Sequence, residues 1–483
     1  MPHELTRYLE LRAAAAMDAR DVACAPAALL LRLEGALERP GSHGVPATAG
    51  RITLLAVGRP GEVRTHPDAA RAHVVDLPAT LLLPGLVNPH THLDLTHIGP
   101  RPFVPGDGPG AGFAAWVDMI RRERRTEAQT IAASVAEGVR LSRAGGVVAV
   151  GDIAGAVSGV PSAAAARALR HAGMAGTSYI EFFAVGAGWE SRVRAALQVH
   201  AQAAAEADGG PVLLGIQPHA PYSVLARAYE RALRGVGQPR GSPDVGSPAP
   251  SCTHLACTHL GETVAEHELI AHGRGPLADF LERLGLFDQI TRAEFGHGRS
   301  PVEHLEEVIA RHGPTLVHLN HLSDRDISVL ASACTRFHRL TGRRICAVCC
   351  PRASAYFHPG RPFAHRWRQI RDAGLRVSLG TDSIVTLDTP DRLSPLDEAR
   401  WVAQTAEGPD ERRALLGMIT TEAAAVAGIP EESVTFSTAG QTLAGVVGVE
   451  VEGPVHSAQS GWEECLRTSA RPELLLLSDT ITG

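Results

Sequence analysis

The chain of 483 residues contains no lysine; every basic side chain other than histidine is arginine. That absence excludes any chemistry that needs a side-chain amine. No Schiff base can form, no P-loop lysine can reach a phosphate, and no carbamylated lysine can bridge two metal ions. A metal site in this chain is therefore expected to be mononuclear. The N-terminus lacks the charged-then-apolar layout of a secretory signal. No apolar run approaches the ~20 residues that a membrane-spanning helix needs. The net charge of −6 comes without a basic stripe, so neither nucleic acid nor membrane is an expected partner. The eight cysteines are scattered, apart from Cys346, Cys349 and Cys350, and no second pair stands at zinc-knuckle spacing. The expectation is a cytoplasmic protein with free thiols.

What is present is an alternation. Short apolar or β-branched runs recur between Ala/Leu/Arg-rich stretches of helical spacing. Eight candidate strands emerge: Leu81–Asn88, Val147–Asp152, Ser178–Ala184, Val212–Pro218, Leu255–His259, Thr315–His318, Arg344–Cys350 and Arg376–Asp382. Pro161–Ala172 and Glu303–Arg311 are among the helices expected between them. Eight strands alternating with helices predict an α/β fold, a (β/α)8 TIM-like barrel. Strand-like runs at both ends of the chain, such as Ala28–Leu31, Ile52–Val57, Ala444–Val449 and Leu474–Leu477, predict a small β-sandwich domain built from the two termini. The expected division is 1–80 for its N-terminal part, 81–430 for the barrel and 431–483 for the return. Gln238–Ser251, rich in Gly, Pro and Ser, reads as a surface loop inserted before the fifth strand.

The chemistry gathers at the ends of the predicted strands. In an extended segment, side chains at i and i+2 share a face, so His90 and His92 of Asn88-Pro89-His90-Thr91-His92 can reach one ion together. Thr258-His259-Leu260-Gly261-Glu262 follows on the fifth strand, and Gly380-Thr381-Asp382-Ser383 on the eighth. Zinc favours imidazole and carboxylate donors, and a catalytic site keeps a position for water. His90, His92, His259 and Asp382 form such a set. Glu262, three residues past a ligand, is placed to take and return a proton; its bland alternative is a first-turn acid of the helix that begins near Thr263. His318 ends the sixth strand, whereas His321 is expected to pack or cap.

These motifs, in this order, resemble the amidohydrolase superfamily and its deaminase branch. Further matches are Phe113-Ala114-Ala115-Trp116, Gly151-Asp152-Ile153, Gln217-Pro218-His219-Ala220-Pro221-Tyr222-Ser223, Gly273-Arg274-Gly275-Pro276, Cys350-Pro351-Arg352-Ala353-Ser354-Ala355-Tyr356-Phe357 and Leu393-Ser394-Pro395-Leu396. Together they resemble the chlorohydrolase and aromatic-deaminase group, and within it the aminodeoxyfutalosine deaminases of menaquinone biosynthesis. The resemblance implies hydrolytic removal of an amino group from an aminopurine substrate and one divalent metal, zinc with iron as the alternative. It gives His318 a role in polarising substrate or orienting hydroxide, and His219 a role in holding substrate. Arg352 and Tyr356 are expected to contact the ribose or the tail beyond it. Competing readings keep the machinery and change the substrate: S-adenosylhomocysteine or methylthioadenosine, guanine, or a triazine chloride. A catalytically silent barrel acting as a scaffold is the non-enzyme reading. A small-molecule aminopurine is the expected partner, with a homodimer as the assembly allowed for.

Overall fold

A computed structural model describes residues 6–35, 38–40, 46–107, 110–206, 210–236, 255–359 and 365–479. The predicted loop Gln238–Ser251 lies outside the described residues. Eight short strands succeed one another along the middle of the chain: Leu86–Thr91, Val147–Ala154, Ala175–Phe182, Val212–Pro218, Cys257–Leu260, Thr315–His318, Cys346–Cys349 and Arg376–Leu379. The first four and the last four each form a parallel sheet in sequential order. Single bridges join the two sheets at both seams, Thr91 to Asp382 and Ile216 to Ala256. The eight strands therefore stand in cyclic order.

Val147–Ala154 is buried along its whole length. A strand covered on both faces reads as a near-continuous apolar run instead of an alternating one. Helices between the strands form the outer layer; Ala128–Ala144 and Trp189–Ala205 pack on the second and third strands. Local sequence sets the ends of these helices. Ser323 caps Asp324–Thr341 by accepting from the Asp326 N–H while the Asp326 carboxylate accepts from the Ser323 N–H, and Gly342 ends the helix at a φ of 71°.

Two expectations need correcting. The run Leu81–Asn88 is not one strand. His73–Pro84 belongs to a different sheet, and the first ring strand starts at Leu86. Gly85 makes the break: a Cβ there would lie 2.4 Å from Val148 Cγ1, so only glycine lets the chain turn this close to the second strand. The helical pattern Glu303–Arg311 likewise divides into Pro301–His304 and Glu306–His312 at Leu305.

The other sheet is mixed, has ten strands, and draws on both termini. Arg7–Met17 pairs in parallel with His73–Pro84, which pairs in antiparallel fashion with Gly445–Glu450. Hydrogen bonding runs through it as one continuous sheet. Its apolar face buries Leu11, Leu29, Leu31, Ile52, Leu82 and Leu476 in a common core. Among the described residues no helix is long and apolar enough to cross a membrane.

The first two strands of the ring approach each other closely. A Cβ on Gly151 would lie 2.1 Å from the carbonyl oxygen of Pro89, the residue before His90. Backbone cannot yield as a flexible side chain does, so Gly151→Ala is expected to destabilise the fold by about 1–3 kcal/mol. Thermal unfolding would check this; an unchanged melting temperature would contradict the close approach.

Candidate active site

The first and eighth strands are knit together at the ends that carry the candidate ligands. Asn88 Nδ2 donates to Thr381 Oγ1 at 2.8 Å, and the Thr381 N–H donates to Asn88 Oδ1 at 3.1 Å. One turn further, the Asp382 N–H donates to the His90 carbonyl at 3.1 Å and Thr91 Oγ1 donates to the Asp382 carbonyl at 3.2 Å. On the other side of the histidine pair, the Leu93 N–H donates to Asp152 Oδ1 at 3.0 Å. His90-Thr91-His92 is thus held from both neighbouring strands. Asp382 and His318 adopt positive φ, 57° and 78°, a conformation non-glycine residues rarely take and one that recurs at functional sites. The His318 carbonyl accepts at 2.7 Å from Nε2–H of His365, which pins the end of the sixth strand.

This framework brings the four expected ligands together. His90 and His92 ring centroids are 5.0 Å apart, and those of His90 and His259 are 5.2 Å apart. Asp382 Oδ1 lies 3.8 Å from His90 Nε2 and 3.5 Å from His92 Nε2. Among the described residues, two sets of ligand-type groups are compact enough to hold an ion: His90, His92 and His259, and Glu262, His318 and Asp382. All six are buried. The donors are also left over by the protein itself. His90 Nε2, His92 Nδ1, His259 Nδ1 and His318 Nδ1 are buried without a hydrogen-bond partner, an arrangement that buried polar groups normally avoid. Gln217 Nε2, 3.1 Å from His259 Nε2, occupies the other side of that imidazole. Burial holds the imidazoles neutral, His90 down to about 3 and His259 well below its usual range, with His219 and His318 adding to the effect on His259. Neutral imidazole beside a carboxylate is the form and the company a divalent metal requires. The residues fit the ion.

Glu262 stands beside this cluster, with Oε1 3.7 Å from His318 Nε2. Its carboxyl is not a helix cap; the helix Val264–His272 begins at Thr263, which makes no side-chain cap bond. Burial, with Asp382 and Glu266 nearby, pushes the Glu262 carboxyl well above the usual range. It is therefore inclined to hold a proton. Glu266, one turn on, accepts from the Gly261 N–H at 3.1 Å and the Glu262 N–H at 2.8 Å, which fixes the loop that aims Glu262.

A cavity of about 530 Å³ opens onto these groups; His92, His259, Glu262, His318 and Asp382 line its floor. Its walls are mostly apolar, with Leu95, Phe113, Trp116, Ile120, Phe183 and Phe280 among them. His219, expected to hold substrate, lines it, and its ring lies 5.0 Å from that of His259. Arg352 and Tyr356 do not line it. The Arg352 guanidinium is consumed by Glu398 at 2.8 Å, Thr389 at 3.0 Å and Asp388 at 3.3 Å. Tyr356 packs on Phe103 and Phe357. In this structure both side chains pack within the scaffold beside the cavity. His321 pairs with His358 at 3.0 Å, away from the cluster. Sequence reasoning missed Arg124 and Glu181, which line the cavity joined by a 2.6 Å hydrogen bond. No linear motif contains both.

Histidines and carboxylates converging at the C-terminal ends of parallel strands, on the floor of a mostly apolar cavity, define a hydrolase centre built for a divalent metal. The comparisons specify the class. The model of the Amidohydrolase family matches residues 81–433, and the chain belongs to that family. An aminodeoxyfutalosine deaminase from Deinococcus radiodurans is 28% identical over 369 residues, covering 74% of this chain and 76% of the relative. The aminofutalosine deaminase of Helicobacter pylori matches with a TM-score of 0.67 at 14% identity, over 96% of this chain and 97% of that one. An adenosine deaminase from Xanthomonas campestris with bound zinc gives a TM-score of 0.59 at 18% identity, over 98% and 94%. The chain is an enzyme, a hydrolase of carbon–nitrogen bonds.

Glu266 supplies a test of how the site is held. Burial raises its carboxyl from an ordinary 4.5 to about 7, against the two N–H groups that favour the charge. The folded chain thus keeps a proton that the unfolded chain releases. That contribution to stability is full below about pH 4.5 and is lost as pH rises through about 7. Glu266→Gln should flatten this part of the stability–pH curve. Glu266→Leu leaves two buried N–H groups unpaired and should cost roughly 1–3 kcal/mol for each. Thermal melts from pH 4 to 8 would check both, and identical wild-type and Glu266→Gln curves would contradict the assignment.

Proposed function

We propose that the enzyme is a hydrolytic deaminase of an aminopurine nucleoside-type substrate, with aminodeoxyfutalosine the favoured one. The observation that carries this reading is the buried, proton-holding carboxyl of Glu262 beside the ligand cluster, on the floor of a cavity whose apolar and aromatic walls suit a flat heterocycle. The relatives named as aminodeoxyfutalosine and aminofutalosine deaminases support the choice of substrate. In this reading the ring of eight strands is the metal-dependent hydrolase barrel, within about 81–430. The segments 1–80 and 431–483 form the small β domain.

His90, His92, His259 and Asp382 hold the metal, zinc with iron as the alternative. When bound, the ion lowers the pKa of water and makes a nucleophile at neutral pH. Glu262 gives its proton to the purine ring nitrogen next to the amino-bearing carbon, and the proton of the attacking water passes to Asp382 or back to Glu262. Asp382 keeps one oxygen free to carry the second proton to the departing ammonia. His318, beside Glu262 and Asp382, orients the nucleophile or polarises the substrate. His219 holds the substrate from the fourth strand. The apolar walls exclude bulk water, which strengthens each of these interactions.

Ammonia release from aminodeoxyfutalosine, adenosine, methylthioadenosine, S-adenosylhomocysteine and guanine tests the reading. A marked preference for aminodeoxyfutalosine is expected. Glu262→Gln should keep its metal and lose about 10²–10⁴-fold or more in kcat. Undiminished turnover by Glu262→Gln would contradict the role given to Glu262. Silence of the wild-type enzyme across the panel would contradict the deaminase reading.

A further inference from the structure

Glu181 is a charged group in the cavity wall for which the reaction above has no use. It comes just before the last residue of the third ring strand and is buried, with 1% exposure. Its two oxygens have different surroundings. Oε2 accepts from Arg124 NH1 at 2.6 Å and from the Ala156 N–H at 2.9 Å. Arg124 is itself paired with Asp94 at 3.2 Å, so the clamp is fixed from behind. Oε1 lies 3.9 Å from His219 Nε2, too far for a direct hydrogen bond. Burial opposes ionisation of Glu181, but Arg124, His219 and the Ala156 N–H outweigh it and hold the carboxyl below its usual range. His219 Nδ1 is engaged at 2.8 Å by Ser223 Oγ, which leaves Nε2 as the nitrogen a ligand can reach. Glu181, His219 and Arg124 all line the cavity.

We propose that Glu181 is a specificity-determining residue whose Oε1, together with His219 Nε2, receives a hydroxyl of the substrate, such as the sugar of a purine nucleoside carries. The inference rests on the aminopurine reading above. A hydroxyl both donates and accepts. A hydroxyl within reach of both atoms, which lie 3.9 Å apart, donates its single hydrogen to Oε1 and accepts from His219 Nε2–H, the tautomer in which Nδ1 accepts from the Ser223 hydroxyl. Oε1 cannot be satisfied by an anion or by a group that only accepts. With Oε2 immobilised by Arg124, the carboxylate cannot swing away from a ligand that lacks the donor. Such a ligand leaves a desolvated charge unpaired. The ring of His219 is 5.0 Å from that of His259, so the hydroxyl position is beside the ligand cluster and does not compete with it.

The test compares zinc-loaded wild type with Glu181→Gln on adenosine, 2′-deoxyadenosine and 3′-deoxyadenosine by kcat/KM. Affinities for inosine and its two deoxy counterparts, measured by calorimetry, need no turnover. Wild type is expected to lose roughly 10- to 100-fold toward at least one deoxy compound. In Glu181→Gln the deoxy and parent compounds should fall within about threefold of one another, with the metal content unchanged. Equal discrimination in the two proteins, or none in wild type, overturns the proposal. If Glu181→Gln does not fold, Glu181→Asp takes its place, since it keeps a charge for Arg124 while withdrawing the oxygen. A wild-type enzyme that deaminates none of the aminopurines overturns the proposed function itself. The inosine affinities then still decide on Glu181.

Discussion

The seam between the first and eighth strands is the constraint on which the rest depends. Asn88 and Thr381, 293 residues apart in sequence, exchange two buried hydrogen bonds. The bridge from Thr91 to Asp382 continues the same contact. Closing the ring here sets His90 and His92 against Asp382, which no local feature of the chain could do. The glycines of this region follow from it. Gly151 lets its strand come against Pro89 at a distance that a Cβ would forbid, and a Cβ on Gly380 would be pressed to 3.0 Å from His90. The strand ends thus meet with little slack, and preorganised ligands are what a catalytic metal needs from its protein.

The same closure places polar groups where water cannot serve them. Four imidazole nitrogens lie buried without partners, and Asp382 and Glu262 are pushed toward their neutral forms. Left as it stands, such a cluster weakens the fold, because each unpaired buried group costs free energy. An ion bound by His90, His92, His259 and Asp382 would relieve part of that cost and couple metal affinity to folding stability. Left-handed backbone at His318 and Asp382 belongs to the same pattern. Unusual backbone and unpartnered buried groups meet in the site.

Much of this was legible in the sequence. All eight expected ring strands overlap the strands found, the first only over residues 86–88, because buried parallel strands leave compact apolar runs between helical stretches. The ligands announced themselves because His-x-His, His-x-x-Glu and Gly-Thr-Asp each put chemistry at a strand end. The first strand was read too early because Leu81-Leu82-Leu83 is equally apolar in either sheet; only the close approach of Val148 explains why Gly85 divides the run. Arg352 looked available because its motif follows a ring strand. Its partner Glu398 lies 46 residues away, and the pairing has no local sign. Arg124 and Glu181 were missed for the converse reason: 57 residues separate them, and each is ordinary until the fold brings them together. Linear motifs report ligands carried by one strand; specificity groups drawn from several elements appear only in three dimensions.

The central claim is that the ring closes around one divalent ion. Anomalous-scattering crystallography of the zinc-loaded protein tests it most directly. The account predicts a single ion per chain, bound by His90, His92, His259 and Asp382, with Glu262 near it but not coordinating. An ion bound elsewhere, a second fully occupied ion between Glu262, His318 and Asp382, or a cluster that takes up no metal at all would contradict it.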